Sequence, residues 1–138
     1  MKKKMYKLVI SIFVLIMAIS VTVPARAGKV SWEFNQAASG VYTKLASGNK
    51  ADEEPNWHIT LNKTKYTNIS SANVFECKVF NSSGNAASTA HKITSYVSGW
   101  SASYTLDVAP KFSSTLKGKK ATTSTASGNL VLWGYFTP

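Results

Sequence analysis

The chain has 138 residues, a formal charge of +10 and one cysteine. If the first 27 residues leave as an export signal, the remaining 111 carry 11 lysines, no arginine and 6 acids. That is one domain, long enough to hold a core without metal or disulfide. The composition excludes a multidomain enzyme, a disulfide-stapled miniprotein and, after signal removal, a transmembrane protein.

Lys2, Lys3, Lys4 and Lys7 precede an apolar run over residues 8–19 that only Ser11 interrupts. Pro24 ends the apolar region, and Ala25-Arg26-Ala27 puts small residues at −3 and −1 of a cut before Gly28. Basic, apolar, then small is the order a secretory signal peptide requires. The run is short for a span of ~20 residues. Residues 28–138 are therefore expected as a single secreted domain, with residues 28–56 its less regular part. The only cysteine is Cys77, so no lipid-bearing cysteine follows the signal and no intrachain disulfide forms. The ending Trp133-Gly134-Tyr135-Phe136-Thr137-Pro138 has no apolar tail or sorting motif, which implies release or non-covalent retention.

Ser and Thr make up 28 of the residues after position 27, and Val, Ile, Tyr, Phe and Trp are frequent, which favours strands. In chain order, residues 30–34 and 41–45 are weak strand candidates. Residues 44–56, with Gly48, Asn49, Asp52, Glu53, Glu54 and Pro55, form a solvated loop. Residues 57–62 alternate, with Trp57, Ile59 and Leu61 on one face. Residues 74–80 place Phe75, Cys77 and Val79 inward and Glu76 and Lys78 outward. Asn81 to Asn85 reads as a turn, and a return strand centres on His91-Lys92-Ile93. Residues 100–108 alternate most clearly, with Trp100, Tyr104, Leu106 and Val108 inward. Residues 119–125 are expected at a sheet edge, where lysines discourage strand addition. Residues 129–136 are apolar on both faces. The fold class is all-β: an antiparallel sandwich, or small barrel, of about six to eight strands.

Catalytic patterns are absent from the sequence. His58 and His91 are the only histidines, and both are expected on solvated strand faces; with serine everywhere, a Ser–His pairing carries no specificity. His58, Cys77 and His91 match no metal spacing, and Asp52-Glu53-Glu54 lacks the spaced ligands of a calcium loop. No glycine-rich phosphate loop appears. No enzyme activity, cofactor, metal or nucleic-acid partner is expected.

Two surface features stand out. Lys117, Lys119 and Lys120, with Lys111 nearby, form a basic cluster that an anionic envelope polymer would attract. On the last strand, burial of Leu130, Leu132 and Phe136 would leave Val131, Trp133 and Tyr135 outside as an apolar strip for a ligand or partner.

Four segments carry a resemblance: Val41-Tyr42-Thr43-Lys44, Pro55-Asn56-Trp57-His58-Ile59-Thr60-Leu61, Val79-Phe80-Asn81-Ser82-Ser83-Gly84-Asn85 and Leu132-Trp133-Gly134-Tyr135-Phe136. Their order resembles a family of short secreted proteins of Gram-positive bacteria that bears only a domain-of-unknown-function label. That resemblance implies a β-sandwich and no known activity. The export signal and aromatic last strand also resemble the secreted β-sandwich bacteriocins of the lactococcin 972 type. The resulting expectation is an extracellular, non-enzymatic module that binds an anionic cell-envelope polymer or another cell-surface component. The alternative is a bacteriocin-like protein acting on the envelope of other Gram-positive cells. The intact mass of protein recovered from culture medium is expected to begin at Gly28; recovery only from membranes, with Met1 retained, would overturn the export reading.

Overall fold

A computed structural model of the chain describes residues 28–37 and 40–138, and the expected signal peptide lies outside them. Eight strands follow in order: β1 (Val30–Gln36), β2 (Thr43–Asn49), β3 (Asn56–Leu61), β4 (Phe75–Asn81), β5 (His91–Ile93), β6 (Trp100–Ser103), β7 (Ser113–Lys120) and β8 (Leu130–Thr137). Every ladder is antiparallel. The first sheet runs β1-β8-β3-β6 and the second β2-β7-β4-β5. The two pack face to face as an all-β sandwich.

Period-two burial makes each strand half wet and half dry. In β3, Trp57, Ile59 and Leu61 are buried between half-buried neighbours. In β8, Leu130, Leu132 and Phe136 are fully buried. In β4, Phe75, Cys77 and Val79 are fully buried, as alternation requires. Each large apolar side chain buried this way contributes about 1.5–3 kcal/mol.

The middle of the sandwich is built around two glycines on facing strands. Trp32 from β1 stacks on Phe75 from β4, with ring centroids 5.6 Å apart and planes 19° from parallel. A Cβ on Gly118 of β7 would come within 2.4 Å of the Phe75 ring. A Cβ on Gly134 of β8 would come within 2.6 Å of the Trp32 ring and 2.7 Å of the Thr60 carbonyl. The missing side chains form the slot that the stacked rings occupy. Phe34 closes it edge-on, 5.4 Å from Phe75.

Three expectations are corrected. Residues 44–56 are not one solvated loop: residues 44–49 lie in β2, and Ala46 and Lys50 are buried. Residues 100–108 form a strand only over Trp100–Ser103. Tyr104 still bonds toward β3, its amide donating to Pro55, but the amide of Thr105 donates to Ala87, beyond the turn that follows β4. The chain switches sheets there, so the later alternation has no single core to face. Leu106 is 46% exposed, and Trp100 and Val108 are only partly buried. The expected edge strand over residues 119–125 is also absent. Lys119 and Lys120 instead end β7, an interior strand paired with both β2 and β4.

At the sheet margin, β2 carries a bulge. Lys44 pairs with Lys117 and Ala46 with Leu116, leaving Leu45 as an extra residue that packs against the core.

Gly134→Ala is expected to destabilise the fold by about 1–3 kcal/mol through overpacking against rigid backbone. Leu132→Ala should cost about 2–5 kcal/mol, whereas Leu106→Ala should fall within about 0.5 kcal/mol of wild type. Urea denaturation of the three variants checks this ranking.

Candidate functional site

The lysine cluster divides because successive strand residues point to opposite faces. In β7, Ser114, Leu116, Gly118 and Lys120 face inward, while Thr115, Lys117 and Lys119 face out. Lys120 is therefore not a surface contact. It is 3% exposed, and its ammonium donates to the carbonyls of Ala126 and Gly128, each at 2.6 Å. A buried ammonium must be hydrogen-bonded, and here it pins the connection between β7 and β8. Lys111 lies beyond the other end of β7, six residues or about 20 Å along an extended chain from Lys117.

The ladders place other lysines beside the two outward ones. Lys44 of β2 stands opposite Lys117 of β7, which stands opposite Lys78 of β4. Three lysines are thus backbone neighbours in one row across three adjacent strands, at a strand spacing of ~4.8 Å. The next row holds Lys119, Glu76 and Lys92, the last from β5. Glu76 is the single carboxylate among these five lysines. It accepts from the Tyr42 hydroxyl at 2.6 Å and lies 3.1 Å from Lys119 Nζ. Burial alone would raise its pKa, but the hydrogen bonds from Tyr42 and Lys119 outweigh burial and hold it below the usual glutamate value. Burial and the Glu76 carboxylate push the Tyr42 hydroxyl up. Aromatic rings interleave with the ammonium groups: Lys117 Nζ stands 4.3 Å from the Phe80 ring centre, and Lys119 Nζ 4.7 Å from that of Tyr42.

Trp133 and Tyr135 face outward, as burial of Leu130, Leu132 and Phe136 requires. Tyr135 is 39% exposed. Both lie on the outer face of the first sheet, whereas Lys117 and Lys119 lie on the outer face of the second. The expected lysine and aromatic contacts are therefore back to back, separated by a core about 10 Å thick. Trp133 stands opposite Glu33 of β1, and Tyr135 stands between Ser31 of β1 and Thr60 of β3. Lys65 Nζ lies 3.8 Å from the Trp133 ring centre, a cation–π contact that fixes one side of the indole.

The remaining titratable groups are structural or isolated. His58 meets Glu54 at 3.2 Å on the solvated side. His91 does not sit on a solvated face: it stands opposite the inward Cys77 and is only partly exposed. Its ring lies 5.8 Å from Trp57 and 5.2 Å from Trp100, both edge-on. Burial lowers its pKa below the ordinary 6.5. Burial also pushes the Cys77 thiol up, which keeps it protonated and unreactive. Lys50, its side chain 1% exposed, pairs with Asp52 at 2.7 Å and holds that carboxyl below its usual range. Among the described residues, no group of three or more His, Cys, Asp or Glu could hold a metal, and no helix is long and apolar enough to cross a membrane. Scans of protein-family models, curated proteins and solved structures find no match to this chain.

Lys44, Lys78, Lys92 and Phe80 belong to the basic face but not to the sequence cluster. Outward placement of Lys78 follows from alternation in its own strand. Its alignment with Lys44 and Lys117 depends on register between distant segments, which no local pattern encodes.

His91 sets a pH dependence. The unfolded chain protonates His91 near 6.5 and the folded chain only at lower pH. This contribution to stability is full above the unfolded value and is lost as pH falls from there through the folded pKa. Asp52 and Glu76 add a separate loss only below their ordinary values of 3.8 and 4.5. Urea midpoints are expected to drop between about pH 7.5 and 5.5 in wild type and to stay level in His91→Phe. An equal drop in both would remove His91 as the cause.

Proposed function

We propose that this chain is a secreted, non-enzymatic binding module that engages an anionic polymer of the cell envelope through the outer face of the second sheet. The row Lys44–Lys117–Lys78 carries this reading. Like charges directly opposed across a sheet destabilise it, so a fold that keeps three in line bears a cost that an anionic ligand removes. Only Glu76 offsets the five lysines of this face. Asp52, Glu53, Glu54 and Asp107 lie in the connections that follow β2 and β6. A surface segregated in this way draws a polyanion toward one face. The cation–π contacts to Phe80 and Tyr42 limit the freedom of Lys117 and Lys119, reducing the entropy lost on binding. Export and extracellular action rest on the signal-like residues 1–27.

Replacing Lys44, Lys78 and Lys117 together by serine is expected to weaken binding to isolated cell walls at low salt by about a hundredfold, at about 1 kcal/mol per lysine. Wild-type binding should itself fall as salt rises from about 0.1 to 1 M. The triple variant should melt no lower than wild type, because it loses like-charge repulsion and no core contact. Equal retention of both proteins at low salt would remove this face as the binding surface.

A further inference from the structure

The outer face of the first sheet differs chemically from the lysine face. Glu33 and Lys65 are the charged groups beside Trp133, one of each sign, and the neighbouring strand positions hold Ser31, Asn35 and Thr60; His58, paired with Glu54, lies further along β3. A groove of about 300 Å³ runs beside Trp133 on the side that Lys65 does not line, with Glu33, Asn35 and Val131 as its other outward side chains. The volume is at the small end for ligand sites. Asn35 accepts from Asn129 Nδ2 at 2.6 Å through its own Oδ1, which leaves its amide N–H groups free to donate. Glu33 is exposed and has no ion-pair partner among the described residues.

We infer that this groove is a subsite for a neutral sugar unit, with the pyranose stacked on Trp133. One face of a pyranose is a patch of C–H groups that suits the indole and the Val131 methyls, while its rim carries hydroxyls that both donate and accept. Glu33 accepts from one hydroxyl and Asn35 donates to another. A fatty chain would desolvate Glu33 and Asn35 without replacing their hydrogen bonds. An anionic polymer would meet the Glu33 carboxylate. Neutral polyhydroxylated chains therefore fit this face, and the polyanion fits the opposite one. Tyr135, two residues further along β8 between Ser31 and Thr60, offers the same strand a second ring for the next sugar. The face is independent of the lysine reading and goes beyond it.

The test is titration of residues 28–138 with neutral gluco-, chito-, manno- and xylo-oligosaccharides at millimolar concentration. The readouts are the Trp133 indole N–H resonance, identified by its loss in Trp133→Phe, and the backbone amide resonances of Asn35 and Val131, which line the same groove and report binding in the Trp133 variants. At least one series should shift these resonances. For that series Trp133→Ala should bind about tenfold more weakly or worse, and Glu33→Gln should bind more weakly than wild type. The Lys44, Lys78, Lys117 triple serine variant should bind it as wild type does, which separates failure here from failure of the polyanion reading. No shift with any series, unchanged binding in Trp133→Ala, or a shift produced only by inorganic polyphosphate would overturn the inference.

Discussion

The stack of Trp32 on Phe75 between Gly118 and Gly134 is the constraint on which both surfaces depend. Two large rings reach the backbones of β7 and β8 because neither strand has a Cβ there. Native cores are packed closely enough that one methyl group in this slot displaces a ring or a strand. With both glycines committed inward, the neighbours of each must point outward. Those neighbours are Lys117 and Lys119 around Gly118, and Trp133 and Tyr135 around Gly134. The same three-residue arrangement, a glycine bracketed by two functional candidates, thus occurs once in each sheet and presents opposite chemistry to solvent.

This arrangement gives the molecule two unlike sides. The second sheet presents a positive field with its lysines in register, and the first presents hydroxyls and amides around two aromatic rings. Because each face uses alternate residues of strands whose other residues form one shared core, either surface can change composition without repacking the interior. The buried lysines belong to neither face. Lys50 and Lys120 each satisfy a local need, one against Asp52 and the other against two loop carbonyls. A lysine count therefore overstates the charge available to a partner.

Much of the fold was legible where apolar residues alternate with polar ones. Trp57, Ile59 and Leu61 in β3, and Phe75, Cys77 and Val79 in β4, are buried as the alternation requires. In β8, apolar on both faces, alternation left the buried face open; the fold turns Leu130, Leu132 and Phe136 inward, and Trp133 and Tyr135 therefore face out. β7 was not legible, because its inward residues are Ser114, Leu116, Gly118 and Lys120, and only Leu116 is apolar. Beside Leu116, its core contacts are supplied by Phe75 and Leu45 reaching toward its glycine. Lys119 and Lys120 are adjacent in sequence, and the period of two sends them to opposite faces of β7. Residues 105–108 keep an alternating pattern after the Thr105 amide has turned to the other sheet, so the pattern outlasts its cause. The full basic row was beyond reach for a different reason: it is a property of pairing between segments far apart in sequence.

The bulge in β2 has a consequence for how the molecule behaves in a crowd of its own copies. An extra residue breaks the even spacing of N–H and C=O groups along that margin, so another strand cannot align with it over its whole length. The margins formed by β5 and β6 are only three and four residues long, too short to template much. Among the described strands this leaves β1 as the one long, unbulged margin, seven residues whose pairing to β8 is continuous. Its midpoint is Glu33, outward and charged, and every copy that tried to extend the sheet in register there would bring a second carboxylate against the first. A single acidic side chain, set at the centre of the one regular edge, opposes the growth of a continuous intermolecular sheet.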